Sequence, residues 1–288
     1  MSGHFPAKVL LVHPDGLLEA VEAVDKSKLQ TTSIILIRPA DASTSPKAAD
    51  LAKNYRTLDD VIAELQTMDL PPPYKISKAE AKTRTALLMF SSGTTGLPKA
   101  VQIAHYNAIS NVLQAARHWQ KELPFTPYDS ATRKGDVIMG TLPFFHIYGN
   151  IVNLHLSVFL GTPVAVLRKF TFDGFLEAIQ RYRVSVLYVV PPMVVLLVKN
   201  DTSKYDLSSV RAGMTGAAPL TEETAAGLKR KFPSWVFGQG YGVSVLLLSE
   251  ADRSDPRSRQ MTETCTIVSL FNLRSPGASA GVLVSNVE

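Results

Sequence analysis

A single cysteine, Cys265, among 288 residues rules out an intrachain disulfide framework and fits a reducing compartment. No histidine lies near it in sequence, so nothing marks it as a paired catalytic thiol. Long apolar runs are also missing. Residues 151–167 are interrupted by Asn153, His155 and Pro163, and residues 184–198 are split by Pro191 and Pro192. Neither gives the roughly 20 uninterrupted apolar residues of a membrane-crossing helix, so both are expected as buried strand and helix of a soluble protein. The first twelve residues lack the basic-then-apolar order of a secretion signal. Charge of one sign is not concentrated either. Lys and Arg total 30 against 25 Asp and Glu, and the excess is scattered. That describes a solvated surface rather than a nucleic-acid footprint.

What is present is ordinary globular material. Hydrophobic residues make up 45% and charged residues 19%, enough to bury a core and too little charge for disorder. Apolar runs suited to strands (8–13, 33–37, 85–90, 136–142, 163–167, 184–190, 211–216 and 235–239) alternate with helical spacing at 17–24, 57–68, 108–119, 151–160, 172–181, 192–199 and 222–232. Asn107, Thr171 or Asp173, and Thr221 stand where helix caps are expected. Residues 39–50 and 68–77 read as Pro-rich or Pro/Ser/Ala-rich connectors. The alternation predicts α/β layers with no internal repeat.

The stretch with chemistry is Ser91-Ser92-Gly93-Thr94-Thr95-Gly96-Leu97-Pro98-Lys99, directly after a strand. Its two glycines let the backbone approach a ligand, while its hydroxyls and free N–H groups make a donor surface suited to phosphate oxygens. Lys99 adds a cation at the rim. The spacing is neither that of a Walker A loop nor that of the dinucleotide turn. A polar surface turn of the same composition is the alternative.

The full nine-residue string resembles the phosphate loop of the acyl-adenylate-forming enzymes: acyl-CoA synthetases, luciferases and peptide-synthetase adenylation domains. Further resemblances follow in that family's order. Residues 142–149 (LPFFHIYG) are similar to a segment lining the acyl pocket, in wording nearest the 4-coumarate–CoA ligases. Residues 215–220 (TGAAPL) resemble a turn that packs against adenine and substrate, and Lys169 matches a lysine on the coenzyme A side. A solvated surface lysine is the alternative for Lys169. Ala100 replaces the glycine that usually follows the loop lysine.

The resemblance implies the layered α/β-sheet architecture of that family's large N-terminal domain, incomplete here and running through residues 1–288. It implies an ATP-dependent acid–thiol ligase that adenylates an aromatic or medium-chain carboxylic acid and transfers the acyl group to coenzyme A. Ser91, Ser92, Gly93, Thr94, Thr95, Gly96 and Lys99 would hold the β- and γ-phosphates. Thr262 and Thr264 would contact the adenylate, and Glu263 would bind Mg²⁺. Tyr148, Ala217, Gln239 and Gly240 would border the acyl-adenylate, with His146 shaping its mouth. Among these, Lys99, His146, Thr262 and Glu263 are the expected catalytic set. ATP, Mg²⁺, coenzyme A and a small carboxylic acid are the expected partners, with no nucleic acid and no specific protein. The expected compartment is cytoplasmic or peroxisomal.

One motif is interrupted. The family expects Gly-Tyr-Gly-x-Thr-Glu-Thr, and here Gly240-Tyr241-Gly242 is separated from Met261-Thr262-Glu263-Thr264 by the 18 residues 243–260. Removing them restores the motif without a seam. Val243-Ser244 is encodable as GTGAGT, a splice donor, and Gln260 as CAG, a splice acceptor, so the segment reads as a translated, unspliced intron that keeps the frame. A real inserted loop is the alternative. The family's later aspartate, hinge and small C-terminal domain, with its lysine, are expected to lie beyond residue 288, and part of its first subdomain before residue 1. The 288-residue chain is therefore expected to be inactive in ligation, with a non-catalytic nucleotide-binding fragment or a pseudogene product as the alternative.

Overall fold

The computed structural model describes residues 7–27, 33–69, 71–91, 99–122, 134–242, 245–247, 262–264, 267–270 and 282–283. The chain divides into two units, residues 1–75 and 76–288.

In the first unit, β1 (Val9–Val12) and β2 (Ser33–Leu36) pair in parallel, Val9 opposite Ser33 and Val12 opposite Leu36. A parallel pair needs a crossover, and α1 (Leu17–Ser27) supplies the helix of it. Leu17 and Leu36 are fully buried and pack with Val12, Val21 and Ala52. The expected connector at 39–50 gives way to α2 (Pro46–Ala52), where Ser45 accepts from the Ala48 N–H and proline occupies the first turn. The helix α3 (Leu58–Leu65) opens with a capping box between Thr57 and Asp60.

The second unit begins with α4 (Lys78–Ala81) and a hairpin of β3 (Thr85–Ser91) and β4 (Lys99–Ala104), antiparallel from Thr85 opposite Ala104 to Ser91 opposite Lys99. The chain passes straight from β4 into α5 (His105–Glu122), so Asn107 lies inside the helix and is not its cap. Next come β5 (Ile138–Gly140), a π-helical segment (Gly149–His155), α6 (Leu156–Leu160) and β6 (Val164–Val166). Then α7 (Phe172–Tyr182), β7 (Val186–Val189), α8 (Pro191–Lys199), β8 (Ala212–Thr215), α9 (Glu222–Lys231) and β9 (Val236–Gln239) alternate, with Thr171 capping α7 and Thr221 capping α9. Short strands follow: β10 (Tyr241–Gly242), β11 (Val245–Leu247), β12 (Thr262–Thr264), β13 (Ile267–Leu270) and β14 (Val282–Leu283).

Strands β5 to β9 form one parallel sheet in the order β6-β5-β7-β8-β9. Successive side chains on a strand point to opposite faces, and both faces are covered. Ile138, Val186, Tyr188, Ala212 and Met214 join a core with α5 and the π-helical segment. Met139, Leu187 and Val189 join a second core with Phe175, Leu176 and Ile179 of α7 and Val194 and Leu197 of α8. Burying each such large side chain contributes about 1.5–3 kcal/mol. The central strands β5, β7 and β8 are buried along their whole length, as strands sandwiched by helices must be.

This strand order has a functional consequence. The chain leaves β5 for β6 on one side and then crosses to β7 on the other, so a crevice opens between β5 and β7 at their carboxyl ends. That is where open α/β sheets bind ligands.

Candidate functional site

The loop over this crevice carries His146 and Tyr148. It runs from the end of β5 to the π-helical segment, and Thr141 near its start donates its hydroxyl to the carbonyl of Tyr188, 3.4 Å away, at the end of β7. Tyr148 reaches across the sheet, and its hydroxyl donates to the carbonyl of Met214 on β8 at 3.1 Å. Burial, with the neighbouring Tyr188 hydroxyl as a smaller cause, pushes the Tyr148 pKa well above its ordinary value. It is a neutral hydrogen-bonding group at any physiological pH. His146 is exposed, and its Nδ1 accepts from the Tyr148 N–H at 3.2 Å, which leaves the proton of a neutral ring on Nε2, the outward nitrogen.

Beyond β8 the backbone turns sharply. Ala217 has φ +71°, a left-handed conformation uncommon for a residue with a side chain, in the turn expected to meet the nucleotide. Gly216 brings that turn against the tyrosine: a Cβ on Gly216 would lie 3.1 Å from Tyr148 Cε1 and 3.3 Å from the Gly240 carbonyl oxygen. Gln239, buried at the end of β9, accepts from the Leu220 N–H at 2.9 Å and so ties the two turns together. The Gly240 N–H donates to the Thr215 carbonyl at 2.8 Å. Tyr148, Ala217, Gln239 and Gly240 are therefore gathered at one edge of the sheet, the carboxyl edge. The Thr215 hydroxyl beside them is fully buried and has no hydrogen-bond partner among the described residues.

Lys169 is exposed and follows β6, at the same edge but on the far side of the crevice. Three strand spacings, about 14 Å, separate β6 from β8, the strand that leads into Ala217. Ser91 and Lys99 are Cα partners at the end of the β3–β4 hairpin, while Ser92, Gly93, Thr94, Thr95 and Gly96 lie outside the described residues. The strand β12, which carries Thr262, Glu263 and Thr264, runs beside β4 with Cα atoms within 8 Å. The 18-residue segment is not inert in this arrangement: its Val245–Leu247 pairs antiparallel with Thr262–Thr264, Leu246 opposite Glu263. Cys265 and most of residues 243–260 lie outside the described residues.

No cluster of three or more His, Cys, Asp or Glu suited to a metal occurs among the described residues. An apolar cavity of about 470 Å³ opens between β3, α5 and α6, lined by Leu87, Ile109, Val112, Val158 and Phe159 among others. None of the expected site residues lines it. No described helix is long and apolar enough to cross a membrane.

Tyr148, Ala217, Gln239 and Gly240 were expected at a site by resemblance alone, and the structure brings them to one edge of the sheet. Sequence reasoning did not single out Thr141, whose only signal is its position just after the buried strand β5.

The profile of the family described as AMP-binding enzyme matches residues 2–249. Among curated relatives, the probable 4-coumarate–CoA ligase 2 of Dictyostelium discoideum is 36% identical over 215 residues, 74% of this chain and 34% of the relative. The 4-coumarate–CoA ligase 3 of Arabidopsis thaliana is 42% identical over 160 residues, 55% of this chain and 27% of the relative. The match thus spans about a third of these relatives' length. Among solved structures, the anthranilate CoA ligase AuaEII in complex with anthranoyl-AMP superposes with a TM-score of 0.69 at 19% identity, over 97% of this chain and 45% of that one. The luciferase-like enzyme of the nonluminescent Zophobas morio mealworm gives 0.66 at 23%, over 96% and 55%. These likenesses establish the fold: it is that of adenylate-forming enzymes.

Proposed function

Because the chain belongs to the AMP-binding enzyme family, we propose that it carries the nucleotide and acid half of an ATP-dependent acid–thiol ligase. The observation that carries this reading is the gathering of Tyr148, the strained Ala217, Gln239 and Gly240 at the carboxyl edge, over the crevice between β5 and β7. The relatives named for 4-coumarate and the structural neighbour named for anthranilate favour an aromatic carboxylic acid as substrate.

In this reaction the acid's carboxylate attacks the α-phosphorus of ATP, and the Pα–O bond to the departing pyrophosphate breaks. The thiol of coenzyme A then displaces AMP from the acyl-adenylate, losing its proton. The first step depends mainly on positioning and on neutralising charge. Residues 91–96 and Lys99 hold the terminal phosphates at the end of the β3–β4 hairpin. Glu263, Thr262 and Thr264 act from the neighbouring strand, and Mg²⁺ on Glu263 would screen phosphate charge. Tyr148 and the turn at Ala217 enclose the acyl-adenylate, with His146 at its mouth and Lys169 on the coenzyme A side.

A second reading, nucleotide binding without ligation, draws on residues 243–260. They separate Gly242 from Met261, and the family match ends inside them, at residue 249. We propose that they are foreign to the domain. A displacement of about 1 Å at a catalytic group costs on the order of 10²-fold in rate, and β11 holds the Glu263 strand in a pairing of its own.

Titration with Mg-ATP and ATP–pyrophosphate exchange with a panel of aromatic and medium-chain acids test both readings. The 288-residue chain is expected to bind Mg-ATP without exchange. Exchange by this chain would discard the second reading, and the absence of any nucleotide binding would discard both.

A further inference from the structure

We propose that Asn150 is the positioning residue for the acid end of the site, holding the loop that presents His146 and Tyr148. The proposal rests on the reading of the carboxyl edge given above, but its first test does not.

Asn150 is the second residue of the π-helical segment and only 8% exposed. Three hydrogen bonds converge on it. Its side-chain Nδ2 donates to the Phe144 carbonyl at 3.1 Å, and its backbone N–H donates to the His146 carbonyl at 2.9 Å. Its own carbonyl accepts from His155 Nδ1 at 2.9 Å, five residues on, which ties the loop to the wide helical turn below it. The first two bonds clamp the chain on both sides of Phe145, which is 83% exposed and anchors nothing by itself. The loop also folds back on its own start. A Cβ on Gly149 would lie 2.3 Å from the Pro143 carbonyl oxygen, so no side chain is tolerated where the chain re-enters the helix.

The rest of the loop hangs from this clamp. The His146 N–H donates to the Pro143 carbonyl at 3.0 Å, and the Tyr148 N–H is taken by His146 Nδ1. Without the Asn150 side-chain amide, the Phe144 carbonyl loses its tie to the helical segment, and of the two bonds that clamp the loop only the Asn150 backbone N–H to the His146 carbonyl remains. The Asn150 Oδ1 is buried and has no partner among the described residues. An unsatisfied buried acceptor is costly, so the favourable contribution of this side chain is its donor. Irregular wide turns of this type are frequent at functional sites.

Asn150→Asp keeps the shape and the acceptor but exchanges the donor for a carboxylate facing the Phe144 carbonyl. Amide hydrogen exchange in the ligand-free chain is the first measurement. Exchange at His146 and Tyr148 is expected to speed up at least ~10-fold, with the amides of β7 and β8 unchanged. A loss spread over the whole sheet, or none at all, would overturn the proposal. The second measurement compares Mg-ATP with a cinnamoyl-sulfamoyl adenosine, which carries both acyl and nucleotide halves. The variant is expected to weaken the acyl probe roughly 10-fold or more and to leave Mg-ATP within about twofold. Equal weakening of both ligands would also overturn it. Faster exchange in a chain that binds neither ligand would leave the clamp standing and sink the functional reading instead.

Discussion

Ser91 and Lys99 face each other as Cα partners in the last rung of the β3–β4 ladder, so the residues between them leave and re-enter the fold at a single point. Lys99→Ala is expected to weaken Mg-ATP binding roughly 10- to 100-fold, the equivalent of one charge-assisted phosphate contact of about 1.5–3 kcal/mol. The salt dependence of binding should fall with it. Calorimetric titration at two ionic strengths checks both, and an unchanged affinity would remove the loop from the site.

The opposite edge of the sheet is built for stability. Asp136, just before β5 and 2% exposed, receives two hydrogen bonds from Arg211, at 2.7 and 2.6 Å, and one from the Ser185 hydroxyl at 2.6 Å. Ser185 in turn accepts from the Val137 N–H at 3.0 Å. Asp136→Ala removes the carboxylate that pairs with the part-exposed Arg211 and accepts from Ser185 at the amino ends of three strands, and a cost of about 1.5–3 kcal/mol is expected. Urea unfolding should show that loss while Mg-ATP affinity in the folded fraction holds, because the nucleotide edge lies at the other end of the strands.

Much of the fold was legible because burial imposes a period. Strands β7 and β8 are apolar runs between turn signals, and Thr171 and Thr221 announce α7 and α9. The strand β4 went unread although Val101 and Ile103 alternate with Ala100 and Gln102, because six residues after a polar loop look like its continuation. The partnership of Asp136 with Arg211 spans 75 positions and leaves no local trace. For the site, resemblance supplied the residues, and only the strand order shows why Tyr148 and Ala217 meet: the β5 loop crosses β7 to reach β8.

Stability should depend on pH at both extremes. Ser43, through its hydroxyl and its N–H, and Arg38 more weakly, lower the Asp41 pKa from 3.8 to about 2. Asp60, Asp201 and Asp206 are lowered as well, by Thr57, Ser203 and Ser208 respectively as the leading causes. A carboxylate with a depressed folded pKa stabilises fully above its unfolded value, near 3.9, and loses that contribution as pH falls through the folded value. Thermal stability should therefore decline between about pH 4 and pH 2, less steeply in Asp41→Asn. At the other extreme, burial raises the pKa of the Tyr188 hydroxyl, whose stabilising effect is full below about pH 10 and fades above it. Tyr188→Phe should flatten the alkaline limb and leave the acid limb as it was.

Residues 243–260 can be removed without unmaking the sheet around them. Tyr241 already pairs with Ser269 and Gly242 with Ile267, so β10 and β13 are antiparallel neighbours joined by the 24 residues 243–266. Deleting 243–260 leaves the six residues 261–266 to join the same two strands, close to the usual length of a hairpin connection. Shortening the loop fourfold lowers its closure entropy by about 1.2 kcal/mol, which offsets part of what the lost β11–β12 pairing contributed. Thr262, Glu263 and Thr264 would then sit in the hairpin loop next to Gly242, directly beyond Gln239 and Gly240, instead of being paired with Val245–Leu247. The deleted chain is expected to keep its melting temperature within a few degrees and to gain Mg²⁺-dependent ATP affinity. Glu263→Gln should erase that gain in the deleted chain. Sequencing of the transcript gives an independent check: messages joining the Gly242 codon to that of Met261 are expected, and uniformly unspliced message would make the segment a true loop of this protein.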